Sequence, residues 1–137
     1  MNREEIMQIL PHRDDMLLID DVELVDGNAI GHYKVRGDEH FLNGHFPGNP
    51  IVPGVILCEI LAQSACILLK DVMTDGKLPV YTGLNNVKFR SSVKPGDMIE
   101  TKCNIKRAKH PFYFAEGTVS VGDRLCVSAE FSFAVVE

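Results

Sequence analysis

Most of the signatures that mark a chain's chemistry are absent from this sequence. Its four cysteines, Cys58, Cys66, Cys103 and Cys126, form no Cys-x-x-Cys pair and no zinc spacing. Their mostly apolar neighbours make them small buried hydrophobes of a reducing compartment, not a disulfide framework. His-Glu-x-x-His spacing is missing around His40 and His45, so no metal is expected. There is no Gly-x-Ser-x-Gly elbow, no Walker A run and no Gly-x-Gly-x-x-Gly, and no cofactor is implied. No apolar signal segment follows Asn2-Arg3-Glu4-Glu5. The most apolar window, residues 51–69, contains Pro53, Glu59 and Gln63. A central acid costs about 2.5–3.5 kcal/mol on insertion scales, so a cytoplasmic protein without membrane insertion is expected. Repeats, low-complexity tracts and linkers are lacking too, and 137 residues read as a single domain, 1–137.

A basic excess is also missing. The 14 Lys and Arg face 19 Asp and Glu, a net charge of −5, which argues against general nucleic-acid binding. The charge is unevenly spread, however. Residues 1–39 hold ten acids and four bases, whereas residues 88–109 sum to +5 through Lys88, Arg90, Lys94, Lys102, Lys106, Arg107 and Lys109. That stretch is either the solvated faces of strands or an anion-binding surface.

The pattern of elements is α+β. Asn2 and Glu5 form a capping box for a helix over residues 3–10, which Pro11 ends. Residues 16–25 read as a strand, turned by Asp26-Gly27 into a second strand through Arg36. Residues 44–54 hold three prolines and three glycines, which makes a stiff irregular loop. A helix over residues 55–73 is apolar nearly all round and so belongs inside the protein. After a Thr74-Asp75-Gly76 turn, residues 80–93, 98–107, 112–121 and 124–136 have strand character. In the last of these, Leu125, Val127, Ala129, Phe131, Phe133 and Val135 are expected on the core face. One buried helix beside about six strands points to an antiparallel sheet curled around that helix.

Three features carry chemistry. Glu59 is an acid in the most apolar helix, and acids are almost never buried unless paired or functional; Gln63 stands one turn on, within reach. His45 sits in the stiff loop between small neighbours and prolines that limit its wandering. Pro53-Gly54-Val55 opens the helix with amides that lack intrahelical partners, and a carbonyl oxygen can approach closely at Gly54. A base, an acid and an oxyanion site suit proton abstraction next to a carbonyl. A nucleophilic Cys58 or Cys66 has no base nearby in sequence.

These residues lie in recognisable motifs. Leu10-Pro11-His12-Arg13, Leu17-Leu18-Ile19-Asp20, the run from Gly44 to Val55, Glu59-Ile60-Leu61-Ala62-Gln63, Val87-Lys88-Phe89-Arg90 and Val93-Lys94-Pro95-Gly96-Asp97 resemble the hot-dog-fold 3-hydroxyacyl-acyl-carrier-protein dehydratases of type II fatty acid synthesis. The resemblance runs over nearly the whole chain. It implies a hot-dog sheet wrapped round a central helix. It also implies a homodimer that assembles further into a trimer of dimers, with each active site at the dimer interface. His45 is then the catalytic histidine of one subunit and Glu59 the catalytic acid of the other. The Gly54 amide would polarise the thioester carbonyl, with Val55 and Gln63 in the substrate-binding set and His12 in support. Glu rather than Asp at the acid position, in a short chain, matches the FabZ type over the longer dehydratase-isomerase type, although some isomerising relatives carry Glu. Asp14-Asp15-Met16 departs from the Pro and aromatic residues usual after Leu-Pro-His-Arg, and Tyr81 is a candidate gate.

The implied reaction is dehydration of a (3R)-3-hydroxyacyl thioester on acyl carrier protein to the trans-2-enoyl product. Rival readings are a hot-dog thioesterase and a non-catalytic acyl-binding module. The +5 segment becomes the expected docking surface for an acidic carrier.

Overall fold

The computed structural model describes residues 1–73 and 76–137, so the expected turn at Thr74-Asp75 lies outside the described residues. Helix α1 (Arg3–Met7) opens with the capping box complete: the Asn2 side chain accepts from the Glu5 amide, and the Glu5 carboxylate accepts from the Asn2 amide. Strand β1 (Asp21–Val25) turns through Asp26 and Gly27, both at positive φ (50° and 80°), into β2 (Asn28–Lys34). That is the turn whose twist matches paired strands. Helix α2 (Gly54–Cys66) follows the loop, and β3 (Leu78–Phe89), β4 (Met98–Lys109), β5 (Phe112–Val121) and β6 (Arg124–Val136) complete one antiparallel sheet. Its order is β1-β2-β4-β5-β6-β3.

Helix α2 lies against β2, β4, β5 and β6, and its residues Leu57 to Cys66, apart from half-buried Glu59, are buried. Close approach is bought at Gly31, where a Cβ would fall 2.6 Å from Ser64 Oγ and 2.7 Å from Thr101 Oγ1. The hydroxyls there are satisfied in series: Gly31 N–H donates to Thr101, Thr101 to Ser64, and Ser64 to the Ile60 carbonyl. All four cysteines are free and buried. Burial pushes the Cys66 thiol up, and that of Cys103 up to about 12, which leaves both poor nucleophiles. No described helix is long and apolar enough to cross a membrane.

Several expectations need correction: α1 ends at Met7 instead of residue 10, and β3 ends at Phe89 instead of residue 93. Only Asp21–Val25 of the 16–25 stretch is strand, because Asp14–Met16 forms a 3₁₀ turn and the Leu18 amide donates to the Gln63 side chain instead of a ladder. The central helix stops at Cys66 and tightens into a 3₁₀ turn over Ile67–Leu69, where the Lys70 amide donates to the Ile67 carbonyl and the Val72 and Met73 amides to that of Leu69. On β6 the register slips between Val127 and Leu125, so Cys126 turns inward while Leu125 is exposed. The rest of the core-facing row, Val127 to Val135, is buried as the alternation requires.

Candidate active site

Glu59 occupies the second turn of α2 and keeps 22% of its side chain exposed. Gln63 Nε2 donates to its Oε2 at 2.9 Å, and His12 Nε2 lies 3.3 Å from the same oxygen. Gln63 is almost wholly buried and heavily committed: its Nε2 also donates to the Met16 carbonyl at 2.8 Å, and its Oε1 accepts from the Leu18 amide at 3.0 Å. These bonds fix which end of the amide faces Glu59. A cavity of about 50 Å³ opens between His12, Glu59, Gln63, Cys66, Tyr81 and Phe133. Tyr81 closes one wall, its hydroxyl donating to the Cys58 carbonyl at 2.6 Å. Burial pushes that phenol up, so it stays a neutral donor to the helix backbone.

His45 is placed by its own loop. The carboxylate of Glu39, just before a 3₁₀ turn over His40–Leu42, accepts from the Tyr33 hydroxyl at 2.6 Å and from the Arg36 and Gly37 amides. Burial would raise this carboxyl, but the three donors outweigh it and hold Glu39 below the usual carboxylate range. The Leu42 carbonyl accepts from the His45 amide, and the His45 carbonyl from the Ile51 amide at 2.8 Å. His45 Nδ1 lies 2.9 Å from the Ile51 carbonyl oxygen. A carbonyl only accepts, so Nδ1 carries the proton and Nε2 keeps a free lone pair. The ring stacks on Phe46 at 4.4 Å between centroids. Sequence reasoning passed over Glu39 and Tyr33, since an acid in the segment after β2 carries no local mark of its buried partner.

Gly54 is the first residue of α2. Its amide and that of Val55 have no hydrogen-bond partner among the described residues, as helix geometry dictates. A Cβ at Gly54 would lie 2.5 Å from the Phe89 ring, so Phe89 rests directly on the glycine. A cavity of about 270 Å³ opens here beside Ile51, Leu57, Phe89 and Arg90. Val55 is 69% exposed.

Glu59, Gln63 and His12 line one cavity, and Gly54 lines another; His45 lines neither, and is tied to the second through Ile51, whose carbonyl its Nδ1 meets. No hydrogen bond or common cavity joins His45 to Glu59 among the described residues.

The FabA-like domain model matches residues 10–130. A 3-hydroxyacyl-acyl-carrier-protein dehydratase FabZ of Macrococcus caseolyticus is 42% identical over 98% of this chain and 94% of its own length. Another of that name from Halalkalibacterium halodurans is 41% identical over 96% of each. Among solved structures, the dehydratase heterocomplex ApeI:P of Xenorhabdus doucetiae contains a chain that superposes with a TM-score of 0.83 at 20% identity, covering 96% of this chain and 91% of that one. A probable thioesterase of Bartonella henselae superposes with a TM-score of 0.63 at 16% identity, over 82% of this chain and 92% of its own. At such identities the structural likenesses speak to the hot-dog fold alone.

Proposed function

The chain belongs to the FabA-like dehydratase family, and from that premise we propose that it dehydrates (3R)-3-hydroxyacyl thioesters of acyl carrier protein to trans-2-enoyl thioesters in fatty acid synthesis. The observation that carries the reading is the tautomer of His45: with Nδ1–H held by the Ile51 carbonyl, the lone pair of the neutral ring is on Nε2, which can act as a base. The Gly54 amide N–H donates to the thioester oxygen and stabilises enolate character. His45 Nε2 takes the C2 proton. The C2–H electron pair becomes the C2–C3 double bond as the C3–O bond breaks, and Glu59 gives its proton to the departing hydroxyl, which leaves as water. Proton transfer from His45 back to Glu59, through solvent, resets the site.

The separation of His45 from Glu59 within one chain supports a site completed by a second copy, His45 from one and Glu59 from the other. The two sheet edges support it too. Met1 pairs with Val22 and blunts the β1 edge, while the twelve-residue β3 edge is open and carries exposed Leu78, Val80, Leu84 and Phe89. An open apolar edge is a template for another strand. Further assembly into a trimer of dimers, and a cytoplasmic location, follow from the family reading. The carrier would dock where Arg90 lines the Gly54 cavity. Other bases of the +5 segment are spent within the chain: Lys106 bonds Glu130 at 3.1 Å, and Arg107 stacks on Phe114 at 4.3 Å.

The test is a product assay on a 3-hydroxyacyl-carrier substrate. Enoyl absorbance without released thiol is expected; free thiol without enoyl product would make the protein a thioesterase and overturn the proposal.

A further inference from the structure

We propose that Gln63 is a positioning residue for the acid, not a member of the substrate-binding set: its side-chain amide is fully engaged within the chain and holds the Glu59 carboxylate in one orientation. This rests on Glu59 being the acid of the reading above. Gln63 is 1% exposed, so a substrate has almost no surface of it to touch.

Both N–H groups of the Gln63 amide have a partner, and so does its oxygen. The Met16 carbonyl can only accept, so the atom 2.8 Å from it is Nε2. The Leu18 amide can only donate, so the atom 3.0 Å from it is Oε1. These two backbone groups exclude the flipped amide. The second N–H meets Glu59 Oε2 at 2.9 Å. No donor is left for a ligand, and burial closes off the remaining lone pair of the oxygen.

Glu59 and Gln63 stand four residues apart on α2, the spacing at which helical side chains meet. The helix alone would let both side chains swing. The other two bonds of Gln63 run to Met16 and Leu18, outside the helix, and fix the amide at two further points. The N–H on Glu59 is therefore a stationary donor, and the carboxylate, with 22% of its side chain exposed, is oriented by it. Glu59 Oε1 has no hydrogen-bond partner among the described residues, which leaves it for the departing hydroxyl.

The backbone of the acid is tied separately. The Tyr81 hydroxyl donates to the Cys58 carbonyl, in the peptide just before Glu59. Loss of Gln63 thus frees the carboxylate while its peptide stays held. A general acid acts only within hydrogen-bond reach, and misplacement by about 1 Å can cost about 10²-fold.

The experiment measures kcat and KM of Gln63→Leu, Glu59→Ala and the double variant on a small 3-hydroxyacyl thioester, well below the melting temperature of each. In Gln63→Leu, kcat falls about 10- to 100-fold and KM changes less than about threefold, because binding is kept and the acid is misplaced. In the Glu59→Ala background the same substitution changes the residual kcat less than about twofold, since nothing remains to be positioned. Equal fold losses in both backgrounds mark a merely structural role, and a raised KM with unchanged kcat marks a substrate ligand; either overturns the proposal, as does no change at all. A second measurement leaves Gln63 intact and follows solvent exchange of its Nε2 protons by NMR. Both exchange slowly in the unmodified protein, and in Glu59→Ala one exchanges at least about tenfold faster while the one on Met16 stays slow. Two fast protons in the unmodified protein overturn the proposal as well. Full turnover in Glu59→Ala would instead remove the acid assignment on which it rests.

Discussion

The two halves of the candidate site are built by opposite means. Glu59 is held by side chains gathered from far along the chain: Gln63 ties it to Met16 and Leu18, 47 and 45 residues away, and His12 comes from the segment after α1. The cavity it faces is about 50 Å³. His45 is held by backbone no more than six residues off, in a loop whose prolines and glycines leave few conformations. Its surroundings are open: Phe46, Val55 and Phe89 are all more than half exposed. The acid half is finished by the fold of one chain, and the base half presents apolar surface that one chain leaves uncovered. On the proposed reading, the acceptor and donor meet only when two copies pair, and the two halves should respond differently to substitution.

The sharpest test of the comparison is to destroy each half separately. His45→Ala and Glu59→Ala should each lose about 10²–10⁴ of kcat, the range of a general acid or base, with little change in melting temperature. Co-expressed, the two inactive variants should regain about a quarter of normal activity, because half of randomly paired two-fold dimers contain one intact site out of two. No recovery, with mixed dimers demonstrated by mass, would mean that both residues act within one chain.

A smaller effect should distinguish how the halves are held. Gln63→Leu keeps side-chain bulk but strips the buried Leu18 amide and Met16 carbonyl of their partner, costing about 1–3 kcal/mol of stability. It should also lower kcat through Glu59. The corresponding change beside the base, Phe46→Leu, removes an exposed stacking contact and should leave the melting temperature of the monomeric fold nearly unchanged. Chemical denaturation of both variants checks this; equal losses would mean that the loop draws on the core as heavily as the acid does.

The smallest effect concerns the surface next to the base half. Arg90→Glu should raise KM about two- to fivefold for a carrier-bound substrate, the scale of an exposed ion pair, and spare a small thioester. Equal change on both substrates would remove Arg90 from carrier docking and leave it as a residue of the cavity wall.

Much of the architecture was legible in the sequence because its causes are local. The Asn2–Glu5 capping box, the Asp26-Gly27 hairpin and the alternation of β6 from Val127 to Val135 each depend on residues a few positions apart, and each formed as expected. Expectations failed where a distant group intervened. Leu18 left the strand because its amide found Gln63, and Leu125 faced outward because a bulge on β6 turned Cys126 into the core. The Cys58 carbonyl that holds the Tyr81 hydroxyl, 23 residues away in sequence, was likewise invisible in the order of the amino acids.

The sequence by itself determined the family, the fold class and the types of group available for chemistry, since these rest on spacing, periodicity and specific motifs. Only the tertiary structure decided which nitrogen of His45 meets a carbonyl, which oxygen of Glu59 accepts from Gln63, and that no hydrogen bond or cavity joins the two side chains among the described residues. Those properties come from hydrogen-bond partners brought together by packing, and packing between residues dozens of positions apart leaves no periodic trace in the order of the amino acids.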